Sequence, residues 1–90
     1  RKEIESVHAE YLPLLHYCLR KALAGGLVER GQRFEVFWAI TNEGKVDRVQ
    51  VMPSDEAPEL ESCIRRALKL FRYPRYPGER RTVTLPLEVN

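Results

Sequence analysis

The chain lacks several features that would assign it to a class of protein at once. No apolar run approaches the roughly 20 residues that a membrane-spanning helix needs, and the first residues do not form a signal-peptide pattern. A net charge of +2 is too small to indicate a polyanion as partner. The 90 residues fit one domain spanning 1–90, and because they begin at Arg1 rather than at methionine, we interpret them as part of a longer protein whose export signal or anchor lies upstream.

Side chains that could carry catalysis are also few. The only two histidines, His8 and His16, lie eight residues apart and cannot share a metal ion. Two positions separate His16 from Cys18, so these side chains point to different sides of a helix. The chain has no Cys-x-x-Cys motif and no visible arrangement of Ser, His and Asp. We therefore predict that the domain is not an enzyme and binds no cofactor or metal, the alternative being a fragment of an enzyme whose catalytic residues lie elsewhere.

The two cysteines that are present, Cys18 and Cys63, each lie on the apolar stripe of a separate predicted helix. A cross-link between two elements stabilises a small domain and persists only in an oxidising compartment. We therefore predict a disulfide between Cys18 and Cys63 and an extracytoplasmic location. Two buried free thiols are the alternative.

Apolar residues recur at helical spacing from Ile4 to Leu23, and Pro13 predicts either a kink or a new helix starting near Leu12. Strict alternation predicts a strand over 34–41, with Trp38 in the core, and a second strand over 46–52 after a short turn at 42–45. Val46 has the wrong parity to share a face with the later valines of its strand, so we expect a bulge near Asp47 or Arg48.

A second helical stripe runs from Leu60 to Phe71, with Pro58 in its first turn, and a last strand covers 82–89. Pro86 cannot donate to a ladder on both sides, so this strand is predicted to lie at an edge of the sheet. A right-handed crossover through the second helix gives the strand order second, first, third. The order helix, strand, strand, helix, strand thus predicts an α+β fold: a three-stranded antiparallel sheet with two helices on one face.

Five segments in this order resemble the TonB C-terminal domain family, and most closely the variant that ends the AgmX/PglI-type proteins of bacterial gliding motility. The segments are LLHYCL at 14–19, ITNEGKV at 40–46, LESCI at 60–64, FRYP at 71–74 and VTLPL at 83–87. The resemblance implies a TonB C-terminal-like domain in the periplasm, tethered to the inner membrane through sequence outside this segment. It also implies a role in an envelope-spanning machine that transmits energy or force from a proton-driven inner-membrane motor, acting through the upstream region.

In this family the last strand captures an extended segment of an outer-membrane or periplasmic protein. The resemblance therefore implies that the partner-binding edge consists of Thr82, Val83, Thr84, Leu85, Pro86, Leu87 and Glu88. A contact loop formed by Tyr73, Arg75 and Tyr76 is a second candidate, although the same prolines and tyrosines could form a stiff connector. A homodimer formed by strand exchange stays open.

Basic side chains with aromatic residues between them form a rival site for a different function. Such a pattern is found on single-stranded nucleic-acid-binding surfaces, but it is also the ordinary solvated end of a helix. With a net charge of +2 and no Gly-x-x-Gly loop between helices, we favour a protein partner over nucleic acid. The residues concerned are Arg65, Arg66, Lys69, Phe71, Arg72, Tyr73, Arg75, Tyr76, Arg80 and Arg81.

Overall fold

The computed structural model describes residues 2–53, 56–75, 78 and 81–90, with side chains from residue 8 onward. Two helices and three strands follow one another in the predicted order. Both helices pack on one face of a three-stranded antiparallel sheet with the order β2-β1-β3, which confirms the predicted α+β architecture. The elements are α1 (Lys2–Ala24), β1 (Arg33–Ile40), β2 (Val46–Met52), α2 (Pro58–Leu68) and β3 (Arg81–Glu88).

The first helix runs through Pro13 without a break, so of the two alternatives for this proline, a new helix starting near Leu12 is wrong. Proline has no N–H to donate to the carbonyl oxygen of Ala9. Both Pro13 and Ala9 are exposed, and water can therefore satisfy that carbonyl. A proline on the solvent side of a long helix is thus tolerated here.

The predicted bulge is present in β2. Pairing with β1 shifts between Phe37 and Ala39, and Arg48 has a positive φ of 55° at that point. The extra residue returns Val46 to the face that Val49 and Val51 occupy, and all three valines pack against the core. The bulge therefore resolves the mismatch of parity in the sequence.

The core lies between the sheet and the two helices. Trp38 is 2% exposed, as predicted, and its ring meets that of Phe71 edge to face at a centroid distance of 5.9 Å. The α2 helix ends at Leu68 rather than Phe71, because the Leu70 and Phe71 amides bond to carbonyls three residues earlier, at Ala67 and Leu68. The largest fully buried side chains are Leu15, Val36, Trp38, Ile40, Leu60, Ile64, Leu68, Phe71 and Val89.

Candidate partner-binding edge

The strand β3 lies at one edge of the sheet, as predicted from Pro86. Its register with β1 is continuous from Arg33 opposite Glu88 to Ile40 opposite Arg81. Beyond the strand, the Val89 N–H donates to the Gln32 carbonyl over 2.9 Å, and the Val89 carbonyl accepts from the Gly31 N–H over 2.7 Å. The main chain of Val89 therefore faces β1.

The alternation of a strand fixes where the other main-chain groups point. Since Val89 faces β1, the odd-numbered residues of β3 also direct their N–H and C=O groups toward β1, and the even-numbered residues direct theirs away from the sheet. Pro86 is one of the even-numbered residues, so its missing N–H removes no bond from the β1 ladder. The outward set consists of Thr82, Thr84, Pro86 and Glu88.

Among the described residues, only β1 pairs with β3. The outer side of β3 therefore offers a row of main-chain donors and acceptors. The opposite edge of the sheet differs, because the bulge at Arg48 interrupts the regular spacing of β2. Bulges make an edge a poor template for another strand. Of the two edges, β3 is therefore the more regular template for an added strand, with outward N–H groups at Thr82, Thr84 and Glu88 and an outward carbonyl but no N–H at Pro86.

The side chains of β3 divide between two environments. Leu87 is buried, while Val83 and Leu85 are half-buried and pack against the core from the helical side. The even-numbered side chains are exposed on the face without helices, where Glu88 forms an ion pair with Arg33 at 3.6 Å. An added strand would thus meet apolar side chains on one face and polar ones on the other.

The two helices that cover the core are joined covalently. Cys18 on α1 and Cys63 on α2 form a disulfide with a Cα separation of 5.7 Å, which confirms the predicted pairing. Cys18 is 2% exposed, whereas Cys63 is half-buried and lies in an open groove between the helices. The disulfide therefore fixes the helical layer against which the core side of β3 packs.

Tyr73 belongs to the core and not to a contact surface. It is 6% exposed, its N–H donates to the Gly44 carbonyl over 2.9 Å, and its hydroxyl accepts a 3.0 Å hydrogen bond from Trp38 Nε1. A partner cannot reach this ring, so Tyr73 must be removed from the predicted contact loop. Arg75 is exposed, and Tyr76 lies outside the described residues.

The Tyr73 hydroxyl also lies 3.0 Å from Nε2 of His8 on α1. The indole N–H of Trp38 can only donate, so the hydroxyl accepts from Trp38, and it donates its own proton to His8 Nε2 in the tautomer that carries the ring hydrogen on Nδ1. Burial raises the pKa of Tyr73 to about 12, although the Trp38 hydrogen bond opposes this shift. Burial lowers the pKa of His8 below 6.5. Both effects favour the neutral forms of His8 and Tyr73.

This network predicts that the domain loses stability in mild acid. The His8 pKa is depressed in the folded state, so as the pH falls below about 6.5 the unfolded chain takes up a proton first. We expect the free energy of unfolding to fall from pH 7.5 toward the folded-state pKa of His8 and to level off below it. Urea denaturation across this range measures the effect.

The two histidines supply the matched comparison for this prediction. His8→Gln keeps an acceptor for Tyr73 but does not titrate, so its stability should vary less with pH than that of the unsubstituted protein. His16→Gln changes an exposed histidine on the same helix and should keep the full dependence. An unchanged slope in His8→Gln would remove His8 as the cause.

The rival nucleic-acid surface depends on aromatic rings that can stack on bases. Phe71 is 0% exposed, and Tyr73 is also buried, so neither ring is available. The cations Arg65, Arg66, Lys69, Arg72, Arg75 and Arg81 are exposed, whereas Arg80 lies outside the described residues. Within the described residues, the pattern therefore combines exposed cations with two buried aromatic rings, Phe71 and Tyr73.

The part of the chain that the structure describes contains no group of three or more His, Cys, Asp or Glu side chains that could hold a metal ion. None of its helices has the length and apolar composition needed to cross a membrane.

Comparisons with protein-family models, with curated proteins and with solved structures find no match to this chain. The resemblance to the TonB C-terminal family thus stays a prediction from its sequence segments.

Proposed function

We propose that this chain is a non-catalytic, periplasmic protein-protein interaction domain of the TonB C-terminal type. It belongs to an envelope-spanning machine that transmits energy or force from a proton-driven inner-membrane motor. The domain captures an extended segment of an outer-membrane or periplasmic protein by adding it to β3. The observation that carries this proposal is the outward direction of the main chain at Thr82, Thr84, Pro86 and Glu88 on a strand that has one described neighbour.

Strand addition derives its affinity from main-chain hydrogen bonds and its selectivity from alternate side chains. The β3 edge offers both, because outward main-chain groups alternate with Val83 and Leu85 on the side of the core. The Cys18–Cys63 disulfide supports the compartment, since such bonds form and persist in oxidising environments. The proposed binding mode thus rests on the β3 edge, and the proposed compartment rests on the disulfide.

The substitution Thr84→Pro tests strand addition at β3 directly. The Thr84 N–H points away from β1, so its removal should leave the β1 ladder intact while it deprives a partner strand of one donor and places a ring in its path. We expect partner affinity to fall at least about tenfold, since one hydrogen bond is worth roughly 1 kcal/mol and the steric clash adds to its loss. Capture is measured with a photoreactive residue in place of Thr82. Cross-links are formed in cells, and mass spectrometry identifies the cross-linked protein.

Thr84→Val is the matched control, because valine keeps both the N–H and a β-branched side chain. Both variants should show the circular dichroism spectrum of the unsubstituted protein. Capture should persist in Thr84→Val and disappear in Thr84→Pro. If the proline variant is folded and captures the same envelope protein in full yield, strand addition at β3 is wrong.

A further inference from the structure

The positive charge of the chain is concentrated in one short segment. Residues 65–75 hold five cations and no acidic residue, whereas the whole chain has a net charge of +2, so the rest of it sums to −3. All five cationic side chains are exposed. We call residues 65–75 the basic segment, and its cations are Arg65, Arg66, Lys69, Arg72 and Arg75.

The fold holds the basic segment in a defined shape after α2 ends. The Leu70 and Phe71 amides bond to carbonyls of the last helical turn, and Arg72 Nη1 donates to the Lys69 and Phe71 carbonyls over 2.7 and 2.8 Å. The buried Phe71 ring then anchors the segment to the core. The main chain from the end of α2 to Tyr73 is therefore held in place before any ligand binds, which lowers the entropic cost of docking.

Leu70 is the middle residue of the segment in sequence and is 58% exposed, which is more than any other large hydrophobic side chain described. Of the five cations, only Arg65 forms an ion pair within the described part of the chain, with Glu61 at 2.9 Å. The remaining charges are thus available to an external anion. The turn before β2 lies beside Tyr73, because the Gly44 carbonyl accepts from the Tyr73 amide, and its exposed Glu43 and Lys45 add no net charge.

Several exposed cations and one exposed aliphatic side chain within eleven residues fit the surface of a membrane that contains anionic phospholipid. Headgroup phosphates lie in a plane that several side chains can contact together, and a leucine gains free energy on entering the boundary with the acyl chains. Single-stranded nucleic acid fits less well, because the aromatic rings of the segment are buried. We propose that the basic segment docks this domain on an anionic phospholipid surface, a role beyond the strand addition proposed above.

Vesicle co-sedimentation of the disulfide-bonded protein tests this proposal. We expect binding to vesicles with roughly a third phosphatidylglycerol, little binding to pure phosphatidylcholine, and a loss of binding as salt rises from about 0.05 to about 0.3 M. Near such a surface each cation contributes about fivefold to partitioning. The double variant Arg66→Gln, Lys69→Gln should therefore bind about 25-fold more weakly.

Control variants that carry the same kinds of substitution outside the basic segment make the test specific. The double variant Arg20→Gln, Arg30→Gln removes two exposed cations outside the segment and should bind within about twofold of the unsubstituted protein. Leu70→Gln should weaken binding severalfold, whereas Met52→Gln, at a side chain that is 47% exposed on β2, should not. Equal loss in the two double variants would overturn the proposal, since it would show a response to net charge alone.

Two other results also overturn it. The first is equal binding to neutral and anionic vesicles. The second is salt-sensitive binding to single-stranded polyuridylate without binding to either vesicle, which would assign the basic segment to nucleic acid.

Discussion

Replacing both Cys18 and Cys63 by alanine should lower the free energy of unfolding by about 4 kcal/mol. The bond closes a loop of 46 residues, from a sequence separation of 45, and the chain-entropy treatment of such a loop gives that figure. A domain of this size has a small margin of stability, so the midpoint of thermal unfolding should fall by roughly 15 to 30 °C. Calorimetry and urea denaturation of the two proteins measure the change.

Chemical reduction separates the cross-link from the packing of the sulfur atoms. A dithiol should destabilise the unsubstituted protein to nearly the level of the double variant and should leave the double variant unchanged. Cys18 is buried, so part of the loss in the variant comes from a small cavity, and reduction alone lacks that part. If reduced and oxidised protein differ by less than about 1 kcal/mol, the bond does not constrain the unfolded chain as proposed.

The fold was predictable because its main signals are local and mutually consistent. The parity of Val46 against Val49 and Val51 demanded a bulge, and the structure places it at Arg48. Pro86 required an edge position, and its parity in β3 satisfies that requirement without a lost hydrogen bond. The first prediction needed only the two-residue period of a strand, and the second only the fact that proline has no N–H to donate.

The role of Tyr73 was not predictable from the same signals. Its neighbouring prolines indicated a connector or a contact loop, whereas its hydroxyl meets His8, which lies 65 residues away. One sequence feature pointed toward the true arrangement: a buried tryptophan needs an acceptor for its N–H. Trp38 was predicted to be buried, yet no periodicity identifies which distant residue accepts its proton, because that choice depends on tertiary packing.

Substitution of Gly44 by alanine should destabilise the domain by about 3 kcal/mol or more. Gly44 has a φ of +87°, which costs an L-residue about 1 kcal/mol or more, and an added Cβ would overlap the Tyr73 carbonyl group. Relief of that overlap must move Tyr73 away from the turn. The movement weakens the hydrogen bond from the Tyr73 N–H to the Gly44 carbonyl and the buried hydrogen bond from Trp38 Nε1 to the Tyr73 hydroxyl. Each of these hydrogen bonds is worth roughly 1 kcal/mol.

Gly31 is the matched control for this substitution, because its φ is also +87° and an added Cβ would meet nothing within 4 Å. Gly31→Ala should therefore show only the conformational cost, about 1 kcal/mol, and the difference between the two variants isolates the contact with Tyr73. Urea denaturation followed by the fluorescence of Trp38, the only tryptophan, measures both. Equal losses would mean that the turn at Gly44 can separate from Tyr73 without cost, and the hairpin would then not hold the Tyr73 hydroxyl against Trp38 and His8.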